Sequence, residues 1–464
     1  MRKLFTFFFL IVATQQLLFQ TGCAHIVPPA GGDRDTLPPI PIKFSPLDST
    51  LKFSGNKITI DFNEYIQLDK PFENVIVSPN PSKQPQVESR LRTLTIKLKD
   101  SLLPNTTYNI DFGSAVKDIN EGNVLRDFIF VFSTGNFLDT RELHGKVILA
   151  ETGKTDSTLI VILHKSLDDS TVAKQKPFYY TRVRGDGSFR FTNLPAGIFA
   201  LYALKDANGN KQYDQKMELF AFLNEPVTIT DTTNPVFLYA YSEEKDEPRP
   251  STGSAAAKAE KKLLFQTNLD NKRQSLISPL EITFNTPLKY FDSTKISLVD
   301  TGYHPIAGYR WVQDSGEKTV KLQYDWKPST VYKLISLKDF AADTLGNQIA
   351  KNDTIEFVTK RIEDYGSLRL DFKNFNKEKN PVLQFVQQGN IVKSFPITQN
   401  VWSEKLFAPG EYEIRVLYDD NKNGKWDAGK FFTAHKQPER VVLIEEKLAI
   451  HANWENENAI DLKE

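Results

Sequence analysis

"LLPNTTYNIDF" (Leu102–Phe112) and "DWKPSTVYKLI" (Asp325–Ile335) are the two stretches that decide how the chain is built. In each, a proline leads into a polar turn, and apolar and polar residues then alternate with the two-residue period of a half-buried strand. Pro104 and Tyr108 answer Pro328 and Tyr332. The flanking segments correspond in the same order. "KITIDFNEYIQL" (Lys57–Leu68) matches "PLEITFNTPLKY" (Pro279–Tyr290), and both close a strand on Phe-Asn, at Phe62-Asn63 and Phe284-Asn285. "KDINEGNVL" answers "ADTLGNQI", and "FIFVFSTG" answers "TIEFVTKR". Phe62 and Phe284 lie 222 positions apart, and Tyr108 and Tyr332, like Gly122 and Gly346, lie 224 apart, so one unit of the chain is written twice.

Each copy is about a hundred residues of short alternating strands broken by Pro, Gly and Asn, which predicts a two-sheet antiparallel sandwich. The series of motifs resembles the bacterial Ig-like domain of S-layer and other surface proteins. Its parts are the Pro-rich lead-in "LPPIPIKFSP", the strand at Leu102–Tyr108, the turn Asp118–Asn123 and the closing Phe132–Thr134. The second copy lacks the Pro-rich lead-in and has Val358 before Thr359.

A second pair of segments also matches. "DGSFRFTNLPAGIFALYALKDANGNKQYD" (Asp186–Asp214) aligns with "WSEKLFAPGEYEIRVLYDDNKNGKWD" (Trp402–Asp427). Leu194-Pro195-Ala196-Gly197 meets Phe407-Ala408-Pro409-Gly410, and an alternating strand follows each turn. With the opening strand in "LHGKVILAE", this order resembles the carboxypeptidase-regulatory, transthyretin-like domain. The resemblance implies a seven-stranded β module without catalytic machinery of its own. Phe199 stands where that family has Tyr, and the later copy lacks the Gly-Asp-Gly turn.

The expected fold class is therefore all-β: tandem antiparallel β-sandwiches in a duplicated Ig-like plus transthyretin-like pair. The expected borders are a signal peptide at 1–22, a tether at 23–38, an Ig-like domain at 39–136 and a transthyretin-like domain at 137–242. A linker at 243–262, a second Ig-like domain at 263–360 and a second transthyretin-like domain at 361–464 complete the plan. "YSEEKDEPRPSTGSAAAKAEKK", which contains the linker, is charged, rich in Ala and Ser, and carries no strand pattern.

The N-terminus is chemically distinct. Arg2 and Lys3 precede the apolar run "LFTFFFLIVA", and "QQLLFQTGC" follows, the pattern of a secretory signal too short to span a membrane. Cys23, the sole cysteine of 464 residues, comes directly after Thr21-Gly22. This resembles the lipobox of bacterial lipoproteins, with Gln20 in place of the usual aliphatic residue. The resemblance implies that Cys23 is lipidated and becomes the first residue, holding the protein to a membrane. The alternative is an ordinary signal with a chance cysteine. "CAHIVPPAGGDRDTLPP" reads as an extended tether and is similar to the start of Ig-like-domain lipoproteins of Bacteroidetes-type bacteria. Ala24 gives no signal for inner-membrane retention, and no acidic run follows the cysteine. The expected place is the outer membrane, with the periplasmic side favoured over the cell surface.

The aligned pair carries one further pattern. Asp206, Asn208, Asn210, Tyr213 and Asp214 lie 213 positions before Asp419, Asn421, Asn423, Trp426 and Asp427. Oxygen-bearing side chains at alternate positions, with Gly424 after the third, are how a calcium loop begins. Two readings of these residues stand. In one, Asp206, Asn208, Asn210 and Asp214, and likewise Asp419, Asn421, Asn423 and Asp427, bind calcium weakly. The twelfth position, where such loops have a bidentate glutamate, holds Met217 or Lys430. In the other, the same residues form turns that satisfy their own backbone.

Lys+Arg and Asp+Glu both total 58, so no basic excess exists to hold a phosphate backbone, and no nucleic-acid partner is expected. The six histidines are scattered without metal-ligand spacing, and no nucleophile elbow or phosphate-binding loop is present. Tyr179, Tyr180, Tyr202, Trp311, Trp402 and Trp454 are the aromatics available for stacking on sugars. The reading is a non-catalytic, lipid-anchored envelope protein whose β modules bind or space. Its expected partner is an envelope protein or a polysaccharide. A carbohydrate-binding adhesin and an accessory subunit of an outer-membrane assembly or export complex are the alternatives.

Overall fold

The strand Lys57–Phe62 buries Ile58, Ile60 and Phe62, the face that its alternating sequence selects. A computed structural model describes residues 34–244, 262–313, 318–374 and 376–462. Cys23, the signal segment and most of the linker lie outside the described residues. The chain divides into two compact units, Met1–Asp139 and Thr140–Glu464.

In the first unit, Pro41–Ser45, Lys57–Phe62, Thr93–Lys97 and Gln86–Arg90 form one sheet in that order. Ile76–Ser78, Thr107–Asp111 and Ile129–Ser133 form another. Ile58, Ile60, Leu94 and Ile96 of one sheet meet Val77, Tyr108, Ile110, Phe130 and Phe132 of the other in a single core. Each large apolar side chain buried this way contributes about 1.5–3 kcal/mol.

Among the described residues, the second unit holds three large cores of this kind, drawn from residues between 143 and 240, 263 and 357, and 368 and 462. The middle one repeats the plan of the first unit. Phe265–Thr267, Leu280–Phe284, Thr319–Gln323 and Arg310–Gln313 pack on Arg273–Gln274, Asp353–Thr359, Val331–Ser336 and Ile296–Val299. The other two also repeat one another. A three-stranded sheet (Ser188–Leu194, Arg141–Leu149, Val236–Ala240) corresponds to Val401–Phe407, Gly366–Lys373 and Glu455–Asp461. In each, the opposing sheet is built around a central pair, Ile160–His164 with Gly197–Leu204, and Pro381–Gln387 with Gly410–Tyr418.

The motifs read from the sequence have defined mechanical jobs. Asn63 accepts from the Ile40 amide at 2.7 Å and donates its own backbone N–H to the Ile40 carbonyl; Asn285 makes the same two bonds with Leu264. Thr134 Oγ1 accepts from the Thr106 amide and donates to the Leu103 carbonyl, while Thr359 Oγ1 does so with Thr330 and Lys327. The threonine that closes the last strand therefore stitches the turn ahead of the Pro-x-Thr-x-Tyr strand. Asp118 accepts from the amides of Glu121, Gly122 and Asn123, and Asp343 from those of Leu345 and Asn347.

One feature departs from purely antiparallel pairing. The first and last strands of the second and fourth modules run parallel: Gly145–Leu149 beside Val236–Ala240, and Ser367–Lys373 beside Glu455–Asp461. Arg273–Gln274 and Val358–Thr359 also run parallel, and in the first unit Thr50 and Phe132 form a single parallel bridge. Two parallel neighbours place the start and the end of a module at opposite ends. The glycine of "LHGKV" belongs to this pairing, since a Cβ on Gly145 would lie 2.0 Å from the Val236 carbonyl oxygen.

Candidate functional site

The two Asp-x-Asn-x-Asn loops occupy equivalent places. The first leaves Gly197–Leu204 and returns into Phe220–Phe222; the second leaves Gly410–Tyr418 and returns into Arg440–Ile450. Four hydrogen bonds recur between them. Asp206 accepts from the Lys211 amide as Asp419 does from Gly424, at 3.1 and 2.6 Å. Asn208 accepts from the Asn210 amide as Asn421 does from Asn423. Asn210 accepts from the Gln212 amide as Asn423 does from Lys425. The side-chain amides of Asn210 and Asn423 each donate to Asp214 and Asp427 at 2.8 Å. Asn421 donates to Asp427 as well.

Both loops bend twice through left-handed backbone. The first does so at Gly209 and Lys211 (φ 77° and 59°), the second at Lys422 and Gly424 (φ 62° and 73°). The glycine has changed places with a lysine, while the backbone path is kept.

A glutamate completes each loop from outside the motif. Phe220 pairs with Leu204 and Val441 with Leu417, which makes Glu218 and Glu439 equivalent positions two residues ahead of the paired strand residue. Both are buried. Glu439 accepts from the amides of Asp420 and Asp427 at 2.9 and 3.0 Å, through one oxygen each. Burial pushes its carboxyl up, and the Asp419 and Asp427 charges add to this. Glu218 is likewise raised by burial and by Asp214, with the backbone amides of Asp214 and Gln215 acting the other way. Its Oε2 is buried without a hydrogen-bond partner. Sequence spacing hid this pair, because the second copy inserts the short helix Phe431–Ala434 between loop and glutamate. Among the described residues, no three His, Cys, Asp or Glu side chains converge to hold a metal ion by themselves.

That inserted helix makes a contact between modules. The sequence reads as modules in a row, whereas the structure brings the second and fourth together. Phe431 is 1% exposed and lies against Tyr202, Phe220 and Phe222, with ring centroids 5.6, 5.0 and 4.9 Å away. Phe432 stacks on Tyr213, the aromatic of the first loop. The Phe431 amide donates to Glu243, and Gln437 donates to the Phe222 carbonyl and to Asn224. Farther along, the Val441 amide donates to the Ala150 carbonyl at 2.8 Å, and Lys154 pairs with Glu413 at 2.8 Å. Trp426, the aromatic of the second loop, donates its indole N–H to the Glu439 carbonyl and packs on Leu417 and Val441. Both loops thus flank one aromatic clasp.

The candidate sugar platforms separate clearly. Tyr179, Tyr180 and Tyr202 are buried, Trp402 stacks on Phe395, and Trp311 packs edge-on against Phe291. Trp454 is 64% exposed beside His451. No described helix is long and apolar enough to cross a membrane.

Residues 35–134 match the family model described as the bacterial Ig-like domain. No curated protein matches the sequence. Among solved structures, the TIE protein of Bacillus anthracis is 12% identical over 93% of this chain and 75% of its own, with a TM-score of 0.17. BcpA, the major pilin subunit of Bacillus cereus, is 11% identical over 69% of this chain and 99% of its own, also at 0.17. The N-terminal part of the bacterial S-layer protein SbsC is 15% identical over 34% and 39%, at 0.15. Similarity at this level says nothing about function.

Proposed function

We propose that this is a non-catalytic, lipid-anchored protein of the cell envelope whose β modules form a stiff spacer that presents a binding surface. The clasp is the observation that carries this reading. A pair of sandwiches joined by buried aromatics moves as one body, which suits a spacer. The four cores support module borders at 39–136, 137–242, 263–360 and 361–464. The Ig-like match directly behind the signal segment and Cys23 supports export and an anchor at the N-terminal end. Ala24 and the lack of an acidic run after the cysteine favour the periplasmic side of the outer membrane over the cell surface. The test is fractionation of the wild type and Cys23→Ser, with metabolic labelling by a fatty acid. Label and membrane attachment should both vanish in the variant; attachment that persists overturns the anchor.

One observation favours the assembly-subunit reading as a second choice. Asn390–Pro396 is the outermost strand of its sheet, and Ile391 and Val392 on it are 53% and 52% exposed. An uncovered edge of this kind accepts a strand from a partner protein. Photo-crosslinking from position 392 in the native envelope distinguishes the two readings, because a pure spacer gives no defined adduct there.

A further inference from the structure

One end of the sandwich that follows Cys23 gathers exposed apolar side chains and two arginines. Leu91 and Arg92 form the tip of the hairpin between Gln86–Arg90 and Thr93–Lys97. Leu91 is 67% exposed and holds left-handed backbone (φ 55°), which a bulky L-residue rarely adopts. Arg92 lies over the ring of Tyr65, 5.1 Å from its centroid, and Arg90, Leu91, Arg92 and Tyr65 line one open concavity. Among the described residues, neither the Arg90 nor the Arg92 side chain has an ion pair or a hydrogen bond. Hydrogen bonds place the entry of the chain at the same end. The Ile66 amide donates to the Leu91 carbonyl and the Ile119 amide to the Tyr65 carbonyl, while Arg34 donates to the carbonyl of Glu121 in the turn that follows. Asn123 of that turn donates to the carbonyls of Asp35 and Leu37. Leu37, Ile40, Tyr65 and Ile119 are all exposed. Arg34 stands eleven positions after Cys23, so an anchor there keeps this end within about 40 Å of a bilayer.

We propose that this end of the first module rests on a lipid bilayer, with Leu91 among the acyl chains, Tyr65 at headgroup level and Arg90 and Arg92 on lipid phosphates. Each group suits its depth. Aliphatic side chains enter the acyl boundary, a tyrosine ring has an apolar body and a polar tip, and a guanidinium pairs with phosphate through two hydrogen bonds. Asp35, Glu64 and Glu121 share this end, so the arginines act on individual phosphates and not through a net positive field. A lone exposed leucine is ordinary on any surface. Five exposed apolar residues at the end from which the chain leads back to Cys23 are the pattern that carries the proposal. A soluble acidic polysaccharide would engage the arginines and leave Leu91 without a partner. The proposal rests on the lipid-anchor reading for its orientation alone. With the chain anchored, the contact is intramolecular, so a weak association of the tip is enough to hold the module down.

The test uses the chain from residue 23 to 464, carrying Cys23→Ser so that no acyl chain is attached, and vesicles of mixed phosphatidylethanolamine and phosphatidylglycerol. The protein should float with the vesicles. Leu91→Gly removes the side chain and suits the left-handed backbone, so it should melt no lower than its parent while the bound fraction falls at least fivefold. Arg90→Glu combined with Arg92→Glu should abolish flotation, and Trp454→Asp, at an exposed ring of another module, should leave it unchanged. An environment-sensitive dye on Leu91→Cys, then the sole thiol, should shift to the blue when vesicles are added. A parent that stays in the soluble fraction overturns the surface, as does flotation that Leu91→Gly retains, or capture by alginate in place of vesicles. Fatty-acid labelling of the natural chain tests the anchor separately. Label without flotation of the unacylated chain overturns the surface alone, and flotation without label supports the surface and overturns the anchor.

Discussion

Phe431 packs its ring 5.0 Å from that of Phe220, across two modules that are far apart in the chain. The contact ties the half before the linker to the half after it. A protease that cuts between residues 245 and 261 should therefore yield two fragments that still elute together. Phe431→Ala removes a buried ring worth about 3–5 kcal/mol, and should let the cut fragments separate on size exclusion. Separation of the wild-type fragments would show that the clasp is too weak to matter.

Thr359 is nearly fully buried, and its hydroxyl both accepts and donates in the stitch. Thr359→Val keeps the shape and strands the Thr330 amide, at an expected cost of about 1–3 kcal/mol. Thr359→Ser should recover most of that. Denaturant unfolding that gives Val and Ser the same loss would point to the methyl group, not the hydroxyl.

The loops make a prediction of opposite sign. Lys211 and Lys422 hold left-handed backbone, where an L-residue costs roughly 1–2 kcal/mol and glycine does not. Lys211→Gly should stabilise the protein by a few tenths to about 1 kcal/mol, the gain being reduced by the greater freedom of glycine in the unfolded chain. Thermal melting reads this directly, and destabilisation would mean that the lysine side chain holds more than its backbone conformation loses.

His164 is buried against Tyr202, with Nε2 unpartnered, and burial lowers it to about 4. Above the ordinary value of 6.5, folded and unfolded chains both hold it neutral, and it adds no pH dependence. Between pH 6.5 and about 4 the unfolded chain takes the proton and the folded one does not. Stability should fall there by up to about 1.4 kcal/mol per pH unit from this residue, and level off below. His164→Phe should be less steep than wild type over that window. Parallel pH profiles of the two would sink the assignment.

Sequence reading reached the fold because its signals are local. Phe62-Asn63 and Phe284-Asn285 end strands, Thr134 and Thr359 close them, and each motif turns out to be a hydrogen bond between segments close in register. The loops were equally visible, since four bonds depend on residues two to five apart. Glu218 and Glu439 were not, because an inserted helix breaks their common offset. The clasp was hidden for a different reason: Phe431 and Phe432 follow no strand period, and their partners lie in another module. Cys23, and the lipid proposed for it, lie outside the described residues.

The parallel pairing of first and last strands sets how these modules meet tension. If one end is held at a membrane and the other is drawn by a partner, the two strands are pulled in opposite directions along their length. Ser367–Lys373 against Glu455–Asp461 is then loaded in shear, so its hydrogen bonds must fail together and not one after another. A hairpin at the same place would unzip from one end at lower force. The strand order that places entrance and exit at opposite ends thus also makes each module a mechanical link.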